Sequence, residues 1–146
     1  MNTVRQLLQL KGDFIWTIRP DDTVFEALRL MAEKDVGALP VIEGELLVGL
    51  IAERDYARKI ILRGKASKDT PVKEIMIKDF PCVHPDQTVE ECMEVLTSRR
   101  VHHLLVMEND RLTGIVSSGD IVRNIIYTQR KKLSQLEKRS IASLFV

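Results

Sequence analysis

The chain carries one segment twice. Laid over one another without a gap, residues 16–61 and 81–126 are about one-third identical, and most other positions keep their polarity. The stretch "RPDDTVFEALRLMAEKDVGALPVIEGELLVGLIAERDYARKII" lies over "HPDQTVEECMEVLTSRRVHHLLVMENDRLTGIVSSGDIVRNII". Repetition of this kind constrains the fold strongly, because both repeats must take one supersecondary form. A unit of about 46 residues rarely closes a core by itself. Its apolar faces need a partner, and the other repeat is at hand. Two repeats packed sheet to sheet about a pseudo-twofold axis are therefore expected.

Each repeat predicts the order β-α-β-β-α. Short apolar stretches at Ile15–Ile18 and Pro81–Val83 lead into Pro-Asp. Thr23 and Thr88 are placed as helix N-caps, with Asp22 just before the first. The first helices set Val24, Ala27, Leu28 and Met31 on one face and Val89, Cys92, Met93 and Leu96 on its counterpart. "ALPVI" and "LLVGLIA" flank "EGE", and "HLLVM" and "LTGIVS" flank "END", which predicts two hairpins. Leu105 stands where the first repeat has Pro40, so the start of this strand is expected to differ. Second helices follow, with Tyr56, Ala57, Ile60 and Ile61 in one and Ile121, Val122, Ile125 and Ile126 in the other.

The expected class is α/β (α+β), two such repeats with added helices. Residues 1–14 form an N-terminal docking helix through Val4, Leu7 and Leu8, and residues 15–64 the first repeat. Residues 65–79 form a bridging connector with a helical turn at Val72–Met76, and residues 80–126 the second repeat. Residues 127–146 continue the last helix, with Leu133 and Leu136 near the Val122/Ile126/Gln129 face.

Lysine plus arginine total 22 and aspartate plus glutamate 21, which gives no general basic field for nucleic acid. The run "QRKKLSQLEKRS" reads as a solvated helix face, with a salt-dependent nucleic-acid contact as the lesser alternative. Cys82 and Cys92 fit no metal or CxxC spacing and read as reduced thiols. The N-terminal apolar stretch is too short for a signal peptide or a membrane span, so a cytoplasmic location and no membrane partner are expected. No GxSxG, Walker lysine motif, GxGxxG or HExxH occurs. An enzyme is not expected, and no cofactor is required.

The duplicated unit has "GALPV" before its first hairpin and a glycine-to-aspartate spacing, "GLIAERD" and "GIVSSGD", into its second helices. In these features it resembles the CBS domain, whose tandem pair is known as a Bateman module. "ERDYARKIILRGKASKDTPVKEIM" further resembles small stand-alone bacterial CBS-pair proteins. The resemblance implies a regulatory module that binds an adenosine-containing ligand (AMP, ADP, ATP, NAD or S-adenosylmethionine) between the repeats. It also implies a homodimer, shaped as a flat disk, and conformational signalling to a regulated partner protein. The alternative is a structural or interaction subunit with vestigial nucleotide sites, which Ala52 and Leu105 favour.

Within that family the ribose-holding carboxylate falls on Asp55 and Asp120, with Ser117 as a further polar contact. An ionised carboxylate only accepts hydrogen bonds, and its two oxygens suit two neighbouring ribose hydroxyls. Ser117 and Asp120 also form a helix capping box by spacing. Ala52 lacks the capping hydroxyl while Asp55 remains, which leans toward a ligand. Candidate phosphate contacts are Arg54, Arg58, Arg99, Arg123, His102 and His103. Adjacent histidines on a strand point to opposite faces, so both cannot reach one phosphate. Candidate adenine walls are Thr17, Ile18, Pro20, Ala38, Leu39, Pro40, Cys82, Val83, Pro85 and Leu104, many of them core positions in any reading. No metal site is expected, since His84 is the one histidine left to join the pair.

Overall fold

The computed structural model describes residues 2–12 and 14–143, so the end of the predicted extension, 144–146, lies outside the described residues. Helix α1 (Val4–Lys11) precedes the first repeat. That repeat contains α2 (Val24–Lys34), the antiparallel strands β1 (Ala38–Glu43) and β2 (Leu46–Ala52), and a single turn α3 (Glu53–Asp55). The second contains β3 (Cys82–Val83), α4 (Val89–Arg99), the antiparallel pair β4 (His103–Glu108) and β5 (Arg111–Ser117), and α5 (Ser118–Ser143). Both predicted N-caps form: Thr23 and Thr88 accept the backbone N–H of Glu26 and Glu91, each at 3.1 Å.

The strands that carry Pro40 and Leu105 start and end at the same register, Ala38–Glu43 and His103–Glu108, so the expected difference at their start does not occur. The opening strands before them differ instead, and Pro40 supplies the reason. In the second repeat Leu105 N–H donates to the Pro81 carbonyl at 3.0 Å, and β3 pairs parallel with β4. Pro40 has no N–H to donate at the matching place. The first repeat keeps only an isolated bridge between Ile18 and Val41.

The second helices bury only part of their apolar residues. In the first repeat, α3 widens into a π-helical segment, Tyr56–Ile61, that buries Ile60 but leaves Ala57 and Ile61 exposed. In α5, Ile121 and the polar Asn124 are buried, while Val122 and Ile126 face outward. Asn124 occupies an inward position because Asn2 reaches it, donating to its side-chain oxygen at 3.0 Å. The apolar pattern of each helix thus serves two faces, one toward the core and one outward, where Met93 is also exposed.

The two repeats are joined by an exchange. Helix α1 precedes the first repeat but packs on the second: Val4, Leu7 and Leu8 lie in one core cluster with Val83, Leu104, Val106, Val116 and Ile121. The connector's 3-10 turn, Val72–Glu74, precedes the second repeat but packs on the first, where Val72 and Ile75 join Val24, Met31, Leu39, Val41, Ile51 and Ile60. The hydrogen bonds match residue for residue. Val4 N–H donates to Gln87 C=O at 2.9 Å and Val72 N–H to Asp22 C=O at 2.8 Å. Arg5 N–H donates to Pro85 C=O at 2.8 Å and Lys73 N–H to Pro20 C=O at 3.0 Å. Ion pairs repeat too, Arg5 with Asp86 and Lys73 with Asp21.

These straps account for the glycines that open "GIVSSGD" and "GLIAERD". A Cβ on Gly114 would lie 2.8 Å from Leu8 Cδ1, and one on Gly49 would lie 2.6 Å from Met76 Sδ. Bare backbone at both places lets each strap lie flat on its sheet. A third, smaller cluster joins the sheets to each other through Ala38, Leu50, Ala52 and Leu105, with Phe80, Leu112 and Ile115 around them.

Truncating a buried strap residue therefore damages the opposite repeat. Leu7→Ala and Ile75→Ala are each expected to cost about 2–4 kcal/mol in urea unfolding. Native-state hydrogen exchange should show Leu7→Ala loosening β4 and β5, and Ile75→Ala loosening β1 and β2. Protection lost evenly across both repeats would contradict the exchange.

Candidate functional site

The motif aspartates sit at matching helix starts. Asp55 is buried, and its carboxylate accepts the Ala52 N–H at 3.0 Å. Asp120 accepts the Ser117 N–H at 2.9 Å, and its own N–H donates to Ser117 Oγ at 3.1 Å. The side-chain-to-backbone half of the cap thus survives in both repeats, because it needs only the main-chain N–H three residues back. Asp55 thus has a capping role that needs no hydroxyl at position 52, and its presence beside Ala52 does not by itself require a ligand.

The two carboxylates differ in what else holds them. Asp120 receives Lys11 Nζ from α1 at 2.7 Å on one oxygen and Arg123 at 2.9 Å on the other. Burial pushes this carboxyl up, but Lys11, the Ser117 N–H and Arg123 together hold it below the usual range. Asp55 has one further cation, Lys59 Nζ at 3.5 Å, on the oxygen that does not meet Ala52. A ligand hydroxyl would find Asp55 oxygens less fully engaged. At Asp120 it would have to take a place now held by Lys11.

Arg54, Arg58 and His102 come together. They line a groove of about 750 Å³ that crosses from the first repeat to the second, with Arg100, Ser118 and Ile121. Arg54 also donates to the Arg100 carbonyl at 3.0 Å, tying the start of the first repeat's second helix to the left-handed residue that ends α4. Arg123 turns to Asp120 instead. Arg99 is taken by Asp79, donating to its carbonyl at 3.0 Å and its carboxylate at 3.2 Å.

His103 lies apart from His102, as strand alternation requires. Its ring packs beside Gly37 of the first repeat, where a Cβ would lie 3.1 Å from Nε2. Burial pushes its pKa down to about 4, with His102 and Lys11 acting in the same direction and Asp120 against it.

Among the proposed adenine walls, Ile18, Leu39, Val83 and Leu104 pack into the repeats' own cores. Pro20, Pro40 and Pro85 are buried, while Thr17 and Cys82 are exposed. Ala38 alone among these belongs to the cluster between the sheets.

Lys11 and Asn124 were not singled out from the sequence. They line, with Leu7, Asp120, Arg123 and Tyr127, a pocket of about 340 Å³ between α1 and α5. The signal for Asn124 was a polar residue on a helix face otherwise read as apolar. Lys11 had none beyond its place in the last turn of a docking helix. His84 is remote from the histidine pair and stands with Asp86 and Glu108, the candidate metal cluster among the described residues. Arg5 already supplies that cluster with a cation, 3.2 Å from Asp86 and 2.6 Å from Glu108.

A neutral, half-buried His103 makes stability depend on pH. Its folded pKa lies below the unfolded value, so the unfolded chain binds more protons between about pH 6.5 and pH 4. Stability is full above that window and falls as pH drops through it, by on the order of 2–3 kcal/mol from this group. The slope of unfolding free energy against pH should be shallower in His103→Gln. Equal slopes would place the ring in water.

Comparison with known proteins agrees with the duplicated architecture. The family model of the CBS domain matches twice, at residues 11–62 and 72–127. The Arabidopsis thaliana CBS domain-containing protein CBSX3, mitochondrial, is 38% identical over 130 residues, which are 86% of this chain and 63% of that one. The chain thus spans less than two thirds of that relative. The CBS domain-containing protein YhcV of Bacillus subtilis is 32% identical over 74% of this chain and 76% of its own. A CBS-domain structure from Burkholderia ambifaria superposes with a TM-score of 0.85 at 42% identity, covering 88% of this chain and 96% of that one. An inosine-5'-monophosphate dehydrogenase of Methanocaldococcus jannaschii is 36% identical over 115 residues, which are 77% of this chain and 22% of that enzyme. The chain belongs to the CBS-domain family, as a tandem pair of regulatory CBS domains.

Proposed function

We propose that this chain is a sensor that binds an adenosine-containing ligand between its repeats and passes the resulting change in shape to a partner protein. The observation that carries this reading is the pair Asp55 and Asp120. Two carboxylates stand at the same register of two repeats, each fixed by a backbone N–H. A carboxylate so fixed is preorganised to accept the paired hydroxyls of a ribose. The cationic groove of Arg54, Arg58 and His102 supports a ligand bearing phosphate. Its volume is within the range usual for small-molecule sites. AMP, ADP, ATP, NAD and S-adenosylmethionine all present the required ribose. Switching requires that the ligand bind one arrangement of the repeats better than another.

The module is proposed to act as a homodimer in the cytoplasm. Met93, Val122, Ile126 and Ile61 form outward apolar positions on matching helices of the two repeats. Among the described residues no helix is long and apolar enough to cross a membrane. A related solved structure, a CBS-CP12 protein of bloom-forming cyanobacteria, is hexameric at 29% identity and a TM-score of 0.73.

A second reading has its own observation. Both aspartates already have partners within the chain, as helix caps and ion pairs. A structural or interaction subunit with vestigial nucleotide sites needs nothing more of them.

Calorimetric titration with the five ligands separates the two. The sensor reading expects at least one to bind, and Asp55→Asn or Asp120→Asn to weaken its own site about 10- to 100-fold, the effect of losing charged hydrogen bonds. Lys11→Met should tighten the Asp120 site, since the ligand no longer displaces an ammonium. Absence of binding by all five would leave the interaction subunit.

A further inference from the structure

Helix α5 runs on past the second repeat, and its side chains from Gln129 to Lys138 are all exposed. An amphipathic helix gains most of its stability from packing, and this stretch receives little from the described residues of its own chain. Its outward residues follow a heptad spacing: Val122, Ile126, Gln129, Leu133 and Leu136 alternate four and three residues apart. The apolar members are 55%, 42%, 59% and 54% exposed, in that order. The seam begins on the folded module beside Met93 and continues without a break onto the free extension.

We propose that this seam pairs with the same seam of a second copy of the chain, as a short parallel two-stranded coiled coil. In heptad terms Ile126 and Leu133 are a positions, and Val122, Gln129 and Leu136 are d positions. Charge selects the direction. In the parallel register Lys132, at g, faces Glu137, at the following e, of the second copy, and the pair occurs twice by symmetry. The antiparallel register that buries Val122 through Leu133 sets Arg123 against Arg130 of the second copy instead. Gln129 places one polar side chain in the seam, which favours the in-register pairing over slipped ones. The proposal refines the dimer put forward above by assigning it a direction: both modules lie at the same end of the paired helices. It requires nothing of the nucleotide sites.

Site-specific cross-linking in the full chain tests it, with Cys82→Ser in the background because that thiol is exposed. Gln129→Cys or Leu136→Cys should oxidise to a disulfide-linked dimer. Lys131→Cys, on the outer face of the helix, should cross-link at least tenfold more slowly. Lys132→Glu and Glu137→Lys should each weaken the dimer measured by sedimentation, and the double exchange should restore it. Both sites are exposed, so these variants fold. Equal cross-linking at Gln129 and Lys131, or no rescue by the double exchange, overturns the parallel coil. A dimer that persists unchanged in Leu133→Glu also overturns it, while leaving a dimer through the module faces intact.

Discussion

Packing of each repeat's leading strap onto the other repeat is the interaction on which the rest of this structure depends. Neither unit of β-α-β-β-α has enough apolar surface to close alone, and neither is closed by its own preceding segment. Leu7 and Leu8 complete the second repeat, and Val72 and Ile75 complete the first. Backbone hydrogen bonds repeat the same geometry on both sides, as do the close approaches to Gly49 and Gly114. The two repeats therefore form one cooperative body, and displacement of one strap is felt in the repeat it covers.

That arrangement places α1 where it bears on function. Lys11, at the end of the strap, donates to the carboxylate of Asp120 and to the Ile115 carbonyl. The first repeat has no strap lysine on Asp55; its cation is Lys59, one helical turn away, which also reaches the Ile75 carbonyl. Two sites built from one repeated motif are thus guarded differently. If both take the same class of ligand, as proposed, they should do so with unequal affinity, and occupancy at Asp120 should disturb α1.

Much of this was legible in the sequence. The repeat alignment held both hairpins, both threonine caps and the element order except for the first repeat's opening strand, which is only an isolated bridge. These features rest on local pattern and turn chemistry, whereas the effect of Pro40 fell on the neighbouring strand and not on the start of its own. The exchange of straps was not legible, for two reasons. The matching strap residues, Val4 with Val72 and Leu8 with Met76, fall out of the gapless register because the first strap stands three residues farther from its repeat. Their contacts also run between segments far apart in the chain. Side-chain partners were hidden in the same way: the lysine on Asp120 comes from α1, and the partner of Asn124 is Asn2. The aspartates themselves were found from spacing, yet the cap they form with the main chain explains their spacing without a ligand. Their spacing alone therefore does not separate a helix cap from a ribose site, and the ribose itself has to be varied.

Titration with matched ligands differing only in the ribose does this most directly. The adenine nucleotide that binds most tightly would be compared with its 2',3'-dideoxy counterpart by calorimetry on the unaltered protein. Because two hydroxyls donate to a carboxylate, removing both should weaken binding at least about tenfold. Equal affinity for the two ligands would contradict the assignment of Asp55 and Asp120 as ribose holders.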